Sequence, residues 1–284
     1  MAGRVKWDEI AEKFFEGGCS KGMCYNYNPD SKEYDHGEAW NGISGFTDNP
    51  SGADEQASYA DNIKYISMRG AENYGFTVKC FFYPDNFKRC LGKKEVTAGV
   101  TISQQAREAF GFCVTTQVGN DTQGVDYAET LHIVWNATTS PSSKDYSSLN
   151  ESPSPSELSF EATANPIAVG TLYKPTANME ICTAGMDSTS LGYYNDLCDI
   201  LYGSDTAYAE VPASAEAPSD WAAGTAAGKY YTRSGSTYTA VESGTTWSSS
   251  TTYYTKGVDP RLPLPKEIIE DIFHGTVDNV SAQG

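Results

Sequence analysis

Five short runs rich in Ile, Val, Phe, Tyr and Thr, each bounded by Gly, Pro, Asn or Asp, do most to limit what this chain can fold into. They lie at residues 63–68, 75–83, 111–118, 128–135 and 157–163. Residues of these types favour strands, and the bounding residues favour turns. The sequence therefore predicts a mainly β fold, of sandwich or barrel type, with few helices.

One connection between these runs has a clear turn signature. GNDTQGVD at 119–126 supplies the Gly, Asn and Asp that tight turns require, so it predicts a hairpin. A calcium loop is the alternative, but the EF-hand ligand spacing is absent. We therefore interpret the segment as a turn.

Three segments predict helices. SQQAREAF at 103–110 begins with Ser103 as an N-cap, and a second apolar pattern with spacings of three and four starts after Ser188 and stops at Gly203. The third, PKEIIEDIF, begins at Pro265 and carries an apolar stripe that would pack the C-terminal segment onto the core.

The N-terminal part gives weaker signals. Residues 7–25 combine helical spacing with several glycines, and an extended run with a turn is the favoured interpretation. Residues 26–56 are rich in Asn, Asp, Gly, Pro and Ser and predict a long arm or loop. Because structureless loops of this length are commonly functional, we expect the arm to reach a neighbouring subunit.

Residues 204–256 have a different composition. Ala, Ser, Thr and Gly make up 33 of these 53 residues, and Leu, Ile, Phe, Met and Cys are absent, so the segment cannot share a large aliphatic core. It contains Trp221, Trp247 and a repeated Tyr-Tyr-Thr motif at 230–232 and 253–255. These aromatics predict a small β insertion, with a flexible Ser/Thr linker as the alternative.

The charge excludes one class of function. With 37 Asp and Glu against 20 Lys and Arg, the net charge is −17. Residues 204–256 hold five acids and three bases, so −15 falls on the rest of the chain. Proteins that grip nucleic acid are basic, because Lys and Arg neutralise phosphate. We therefore expect no tight binding to DNA.

The N-terminus and the apolar stretches predict neither a signal peptide nor a membrane span. The seven cysteines form no CxxC pair and are predicted to be reduced thiols. Common motifs for hydrolases, phosphate binding and metalloproteases are absent. The histidines, His36, His132 and His274, are predicted in a loop, a strand and a helix end, with His132 a sheet-face residue. The sequence therefore predicts no catalytic, cofactor-binding or metal-binding residues, and no enzyme.

Four segments in one order, NPSGADEQASYADNIKY, ENYGFTVKCFFYPDNFKRCLG, GVTISQQAREAFGF and VGNDTQGVDYAETLHIVW, resemble the major tail tube proteins of long-tailed bacteriophages. SP-rich, LYG and RLPLP segments follow. The resemblance covers residues 4–203 and 257–273 and leaves 204–256 unmatched. It implies a tail tube core at 1–203 plus 257–284, with 204–256 inserted in a surface loop.

The resemblance also implies a function. Such subunits assemble into hexameric rings that stack into a tube, where the sheets of neighbours join into an inner barrel and DNA passes as non-specific cargo. The implied partners are further copies of the chain, a tape measure protein, and tail terminator or baseplate proteins, without membrane binding. The implied location is the virion tail, after assembly in the bacterial host cytoplasm. The tube of a related contractile injection device, or accessory host-surface or carbohydrate binding by 204–256, remain alternatives.

Overall fold

A computed structural model describes residues 6–52, 54–144, 148, 155–211, 216–218, 221, 230–242 and 245–278, without the side chains at 35 and 36. The outermost ends of the predicted core, 1–5 and 279–284, therefore lie outside the described residues. The described chain is mainly β, with large antiparallel sheets and few helical segments, which confirms the predicted fold class. None of the described helices is both long and apolar enough to span a bilayer.

The strands, in chain order, are β1 (Phe14–Asn28), β2 (Glu33–Ala39), β3 (Ile43–Asp48), β4 (Ser51–Gly52), β5 (Glu55–Ala60), β6 (Ile63–Arg69), β7 (Glu72–Cys80), β8 (Lys94–Thr97), β9 (Val100–Ile102), β10 (Phe110–Asn120), β11 (Gly124–Thr139), β12 (Leu158–Ala164), β13 (Asn178–Cys182), β14 (Ser204–Glu210), β15 (Tyr230–Ser234), β16 (Thr237–Ala240) and β17 (Tyr254–Val258). The helices are α1 (Phe87–Cys90), α2 (Ser188–Tyr202) and α3 (Pro265–Glu267), and α3 continues as a π-helical segment, Ile268–Ile272.

The main sheet runs β2-β1-β10-β11-β12-β7-β3, with β13 also paired to β11 and β4 to β7. The long strand β11 pairs with β13 over Thr130–Val134 and with β12 over Ala137–Thr139. The sheet divides along β11, and the β12-β7-β3 part folds back over β1 and β10. The stacked rings of Phe76 on β7 and Phe112 on β10, with centroids 5.6 Å apart, join the two parts across this fold.

The central strands are buried on both faces. Alternate residues of β10 and β11 enter two separate cores, so that Val134 faces the first core and Trp135 the second. The first core lies between the folded halves of the sheet and is dominated by aromatic rings: Trp40, Phe76, Phe87, Phe110, Phe112 and Phe160. This double burial explains why FGFCV and LHIVW are nearly continuous runs of apolar residues.

The second core is covered by α2 and by the segment that ends in α3. The Tyr25 hydroxyl donates to the Leu201 carbonyl at 2.6 Å, and Trp135 Nε1 donates to the Pro263 carbonyl at 2.9 Å. The predicted helices after Ser188 and from Pro265 are therefore confirmed, and both pack as their apolar patterns required.

The predicted strands appear in β6, β7, β10, β11 and β12, the extended N-terminal run is β1, and the hairpin at 119–126 joins β10 to β11. The prediction for 26–56 was wrong, since this segment contains β2 and β3. Tyr34 and Trp40 are buried there and anchor an otherwise polar stretch. Tertiary pairing with β1 and β7 outweighed the composition.

The helix predicted at 103–110 was also wrong. The segment runs extended into β10, and Gln104 has a positive φ of 64°, which no helix accommodates. The amide of Gln105 donates to the Gly92 carbonyl at 3.0 Å, and Arg107 donates to the Thr139 carbonyl. These contacts hold the segment beside the short helix α1, which no local sequence pattern predicted.

The segment inserted between α2 and α3 forms its own four-stranded sheet, ordered β14-β17-β15-β16. A small aromatic core of Trp221, Tyr230, Val241 and Tyr253 lies on it. The predicted small β-rich insertion is therefore confirmed. Its independence from the rest of the chain stays a prediction.

Candidate functional site

The most conspicuous surface feature is the hairpin formed by β5 and β6, which we call the arm hairpin (residues 55–69). Every one of its strand residues is exposed. Asp61 and Asn62 connect the strands with φ values of 51° and 62°, so both occupy the left-handed region that two-residue hairpin turns of type I′ require. The local sequence thus closes the hairpin without help from the core.

The arm hairpin exposes large apolar side chains. Five of them are solvent-accessible over about half of their surface or more: Tyr59, Ile63, Tyr65, Ile66 and Met68. Tyr65 is 74% exposed and Met68 is 64% exposed. Glu55 accepts hydrogen bonds from Lys64 and Ser67, which lower the pKa of its carboxyl and tie the two strands together. An isolated two-stranded hairpin is marginally stable in water, and exposed apolar patches of this kind commonly mark interaction surfaces.

A second, shorter hairpin repeats the pattern. Strands β8 and β9 expose Val96, Val100 and Ile102, and Gly99 with φ of 79° closes the turn. The two hairpins interrupt the chain on either side of the segment that contains α1. Apolar surface is therefore exposed at more than one place on the described chain.

Three side chains with metal-ligating atoms converge where the end of β3 meets the β11–β13 pair. Asp48, His132 and Glu180 each offer a ligand atom, and these atoms all lie within 4.8 Å of one another. Asp48 is the last residue of β3, while His132 and Glu180 face each other across the β11–β13 pair. His132 is 8% exposed, whereas both carboxylates reach solvent.

The hydrogen bonds of this cluster fix the imidazole. Nε2 of His132 lies 2.9 Å from Oγ1 of Thr116, which in turn donates to Glu16 at 3.1 Å. Nδ1 of His132 is buried without a hydrogen-bond partner and lies 3.6 Å from Oε1 of Glu180. The Tyr74 hydroxyl donates to Asp48, and burial followed by that bond raises the pKa of Tyr74, so it stays a phenol.

The structure places the other two predicted histidines elsewhere. His36 lies in β2 rather than in the predicted loop, and His274 packs edge-on against the Tyr193 ring at the end of the π-helical segment. His132 is on a sheet face, as predicted. Its two carboxylate neighbours were missed, because they lie on strands distant in sequence and only a correct strand pairing could have found them.

All seven cysteines are free. Burial raises the pKa of the Cys113 thiol to about 12, and burial also raises that of Cys24. Thiols of this kind are inert at neutral pH because the thiolate is the reactive form.

The inserted sheet presents tyrosines on the face opposite its small core. Tyr208 and Tyr238 stack with ring centroids 3.9 Å apart, and Tyr231 and Tyr254 pack edge-on against them. Because these rings contact one another, they form a second packed layer on the small sheet.

No protein-family model matches the chain, and no curated protein matches it. Among solved structures, the chain is similar to one from an extracellular contractile injection system, the PVC sheath–tube complex in its extended state. That similarity has a TM-score of 0.24 and 12% identity, and covers 57% of this chain and 89% of the other. A likeness this low carries no functional argument for this chain.

Proposed function

We propose that this chain is a structural subunit of a bacteriophage tail tube, which self-assembles into stacked hexameric rings and forms a conduit for DNA ejection. The observation that carries the proposal is the arm hairpin, whose large apolar side chains are exposed in the described part of the chain. Four ordered sequence segments that resemble tail tube proteins point to the same assembly.

The physical case for self-association rests on exposed apolar area. Burying a large apolar side chain stabilises an interface by roughly 1.5–3 kcal/mol, so several on one hairpin supply a substantial driving force. Among the described strands, β3 ends the path of the main sheet and pairs only with β7, whereas the outer edge of β2 is bridged by Leu262 at Tyr34. Open strand edges invite pairing with another chain, and sheets that join around a ring remove them.

The charge suits a conduit. A net charge of −17 disfavours DNA binding, and acidic side chains along the lumen would keep DNA from adhering to the wall. Repulsion extends only about 8 Å at physiological salt, so the acids lining the bore matter most. We expect the bore of the assembled tube to be negative, and a neutral or positive potential in a structure of the assembly would contradict this part of the proposal.

The remaining functional assignments follow from the tube role. We propose a virion tail location after assembly in the host cytoplasm, no catalytic activity, and tape measure and terminator or baseplate proteins as partners. DNA is passing cargo, and no membrane is bound.

The test is electron microscopy of the purified protein, with substitutions in the arm hairpin. The unaltered chain is expected to form hollow tubes with six subunits per ring. A Tyr65→Ser, Met68→Ser double variant should fold normally, since both side chains are exposed, and should assemble poorly. Tyr173→Ser removes another exposed ring, 57% accessible, and serves as the matched control.

The tube proposal would be overturned by a protein that stays monomeric at high concentration and in the presence of its tail partners. A double variant that assembles like the unaltered chain would instead exclude the arm hairpin as the assembly contact.

A further inference from the structure

We propose that Asp48, His132 and Glu180 form a binding site for one divalent transition-metal ion, with Zn²⁺ as the preferred cation. The cluster offers one imidazole nitrogen and two carboxylates. Two carboxylates balance the charge of a divalent cation, and imidazole with carboxylate is a ligand set that Zn²⁺ takes in proteins. The site is independent of the proposed tube function.

The observed spacing fits an ion. Ligands about 2.0–2.2 Å from Zn²⁺ in a tetrahedral arrangement lie roughly 3.4 Å apart. The separation between His132 Nδ1 and Glu180 Oε1 is 3.6 Å, close to that value. All three ligand atoms fall within 4.8 Å of one another, and the Asp48 side chain is exposed.

The unpartnered nitrogen points to a ligand. Burying a polar atom without a hydrogen bond costs about 1–3 kcal/mol, so native structures rarely leave one. Nδ1 of His132 is such an atom, and it faces Glu180. A cation bound at Nδ1 satisfies this atom and both carboxylates together.

The surroundings of the imidazole match those of a metal ligand. Metal-binding histidines commonly donate their other ring N–H to an oxygen, which fixes the ring orientation. Here Nε2 has Thr116 Oγ1 at 2.9 Å, and the Thr116 hydroxyl donates onward to Glu16. This series of hydrogen bonds, from His132 through Thr116 to Glu16, directs the lone pair of Nδ1 toward the carboxylates. The Tyr74 hydroxyl orients Asp48 in the same way.

The location gives the ion a structural task. Asp48 ends β3 and Tyr74 lies near the start of β7, and the short β4–β7 pair continues from them toward the arm hairpin. A cation at Asp48 would join the root of the arm hairpin to β11 and β13 in the main sheet. We therefore expect metal binding to stabilise the folded chain and to fix the arm hairpin at its base.

The test is calorimetric titration of the metal-free, unassembled protein with Zn²⁺. Cys182 is exposed and follows Glu180 by two residues, so all proteins carry Cys182→Ser to remove a competing thiol. We expect about one Zn²⁺ per chain and a raised unfolding temperature. Asp48→Asn and Glu180→Gln should each weaken binding by at least about tenfold. Glu161→Gln, an equivalent change at an exposed strand glutamate, should leave the affinity unchanged.

X-ray absorption of the zinc complex gives an independent readout, with nitrogen and oxygen neighbours and no sulfur expected. The inference fails if excess Zn²⁺ does not bind, if the Asp48 and Glu180 variants bind as tightly as the Glu161 control, or if sulfur is found in the coordination shell. Because both carboxylates are exposed, these variants are expected to fold, so each outcome bears on the site itself.

Discussion

At the scale of single residues, buried polar groups join separate elements of the fold. The Tyr25 hydroxyl lies between β1 and α2, donates to the Leu201 carbonyl, and also lies 3.5 Å from Cys113 Sγ. Tyr25→Phe leaves that carbonyl without its donor. We expect the free energy of unfolding to fall by about 1–3 kcal/mol in urea denaturation. Tyr59→Phe, at an exposed ring, is the control and should change little.

Buried thiols and phenols predict sensitivity to alkali. The pKa of Cys113 is raised by burial to about 12 from an ordinary value of 9.0, and that of Tyr34 to about 12 from 10.0. A group whose pKa is raised by folding loses its proton more readily in the unfolded chain. Its contribution to the free energy of unfolding is therefore fully present below the unfolded pKa and is lost as pH rises through the folded pKa. We expect the free energy of unfolding to decline between about pH 9 and pH 12, by up to ~1.4 kcal/mol per pH unit for each group.

The control for this prediction separates buried from exposed thiols. Cys113→Ala should make the alkaline decline shallower, whereas Cys182→Ser should not, because Cys182 is exposed. In native protein at neutral pH, a thiol reagent should modify Cys182 first. Equal decline in both variants would contradict the assigned role of Cys113.

At the scale of elements, the turn of the arm hairpin should control its stability. Asn62 has φ of 62°, which Gly adopts freely and a β-branched residue strongly disfavours. Asn62→Gly should therefore protect the arm hairpin from limited proteolysis, and Asn62→Val should expose it to cleavage. Global stability should barely change, because the hairpin contributes no residue to either core. Identical cleavage rates would show that the turn does not limit opening.

At the scale of the whole molecule, the inserted sheet should be dispensable. Its entry and exit strands, β14 and β17, are paired, and Ser204 lies opposite Val258, so a short link can join the ends. Replacing residues 205–256 with a short Gly/Ser segment should preserve folding and assembly, since Trp221 and its aromatic neighbours form a core of their own. Electron microscopy and thermal unfolding of the shortened chain check this, and loss of either property would place the segment in the core.

The sequence by itself determined the elements whose signal is local. Strands β10 and β11 follow from their apolar runs and the Asn and Gly of their turn, where Asn120 Oδ1 accepts the amides of Thr122 and Gln123. Helix α2 follows from its apolar spacing and its end at Gly203, with φ of 79°. These features depend on residues within a few positions of one another.

Only the tertiary structure decided which polar segment is inside and which apolar segment is outside. Residues 33–48 look like a loop but pair with β1 and β7, while residues 63–69 look like an ordinary strand yet lie on an exposed hairpin. Composition shows that an apolar side chain favours burial, but it does not show whether the residues that bury it belong to the same chain. The convergence of Asp48, His132 and Glu180 likewise required the folded sheet, since strand pairing joins residues that are far apart in sequence.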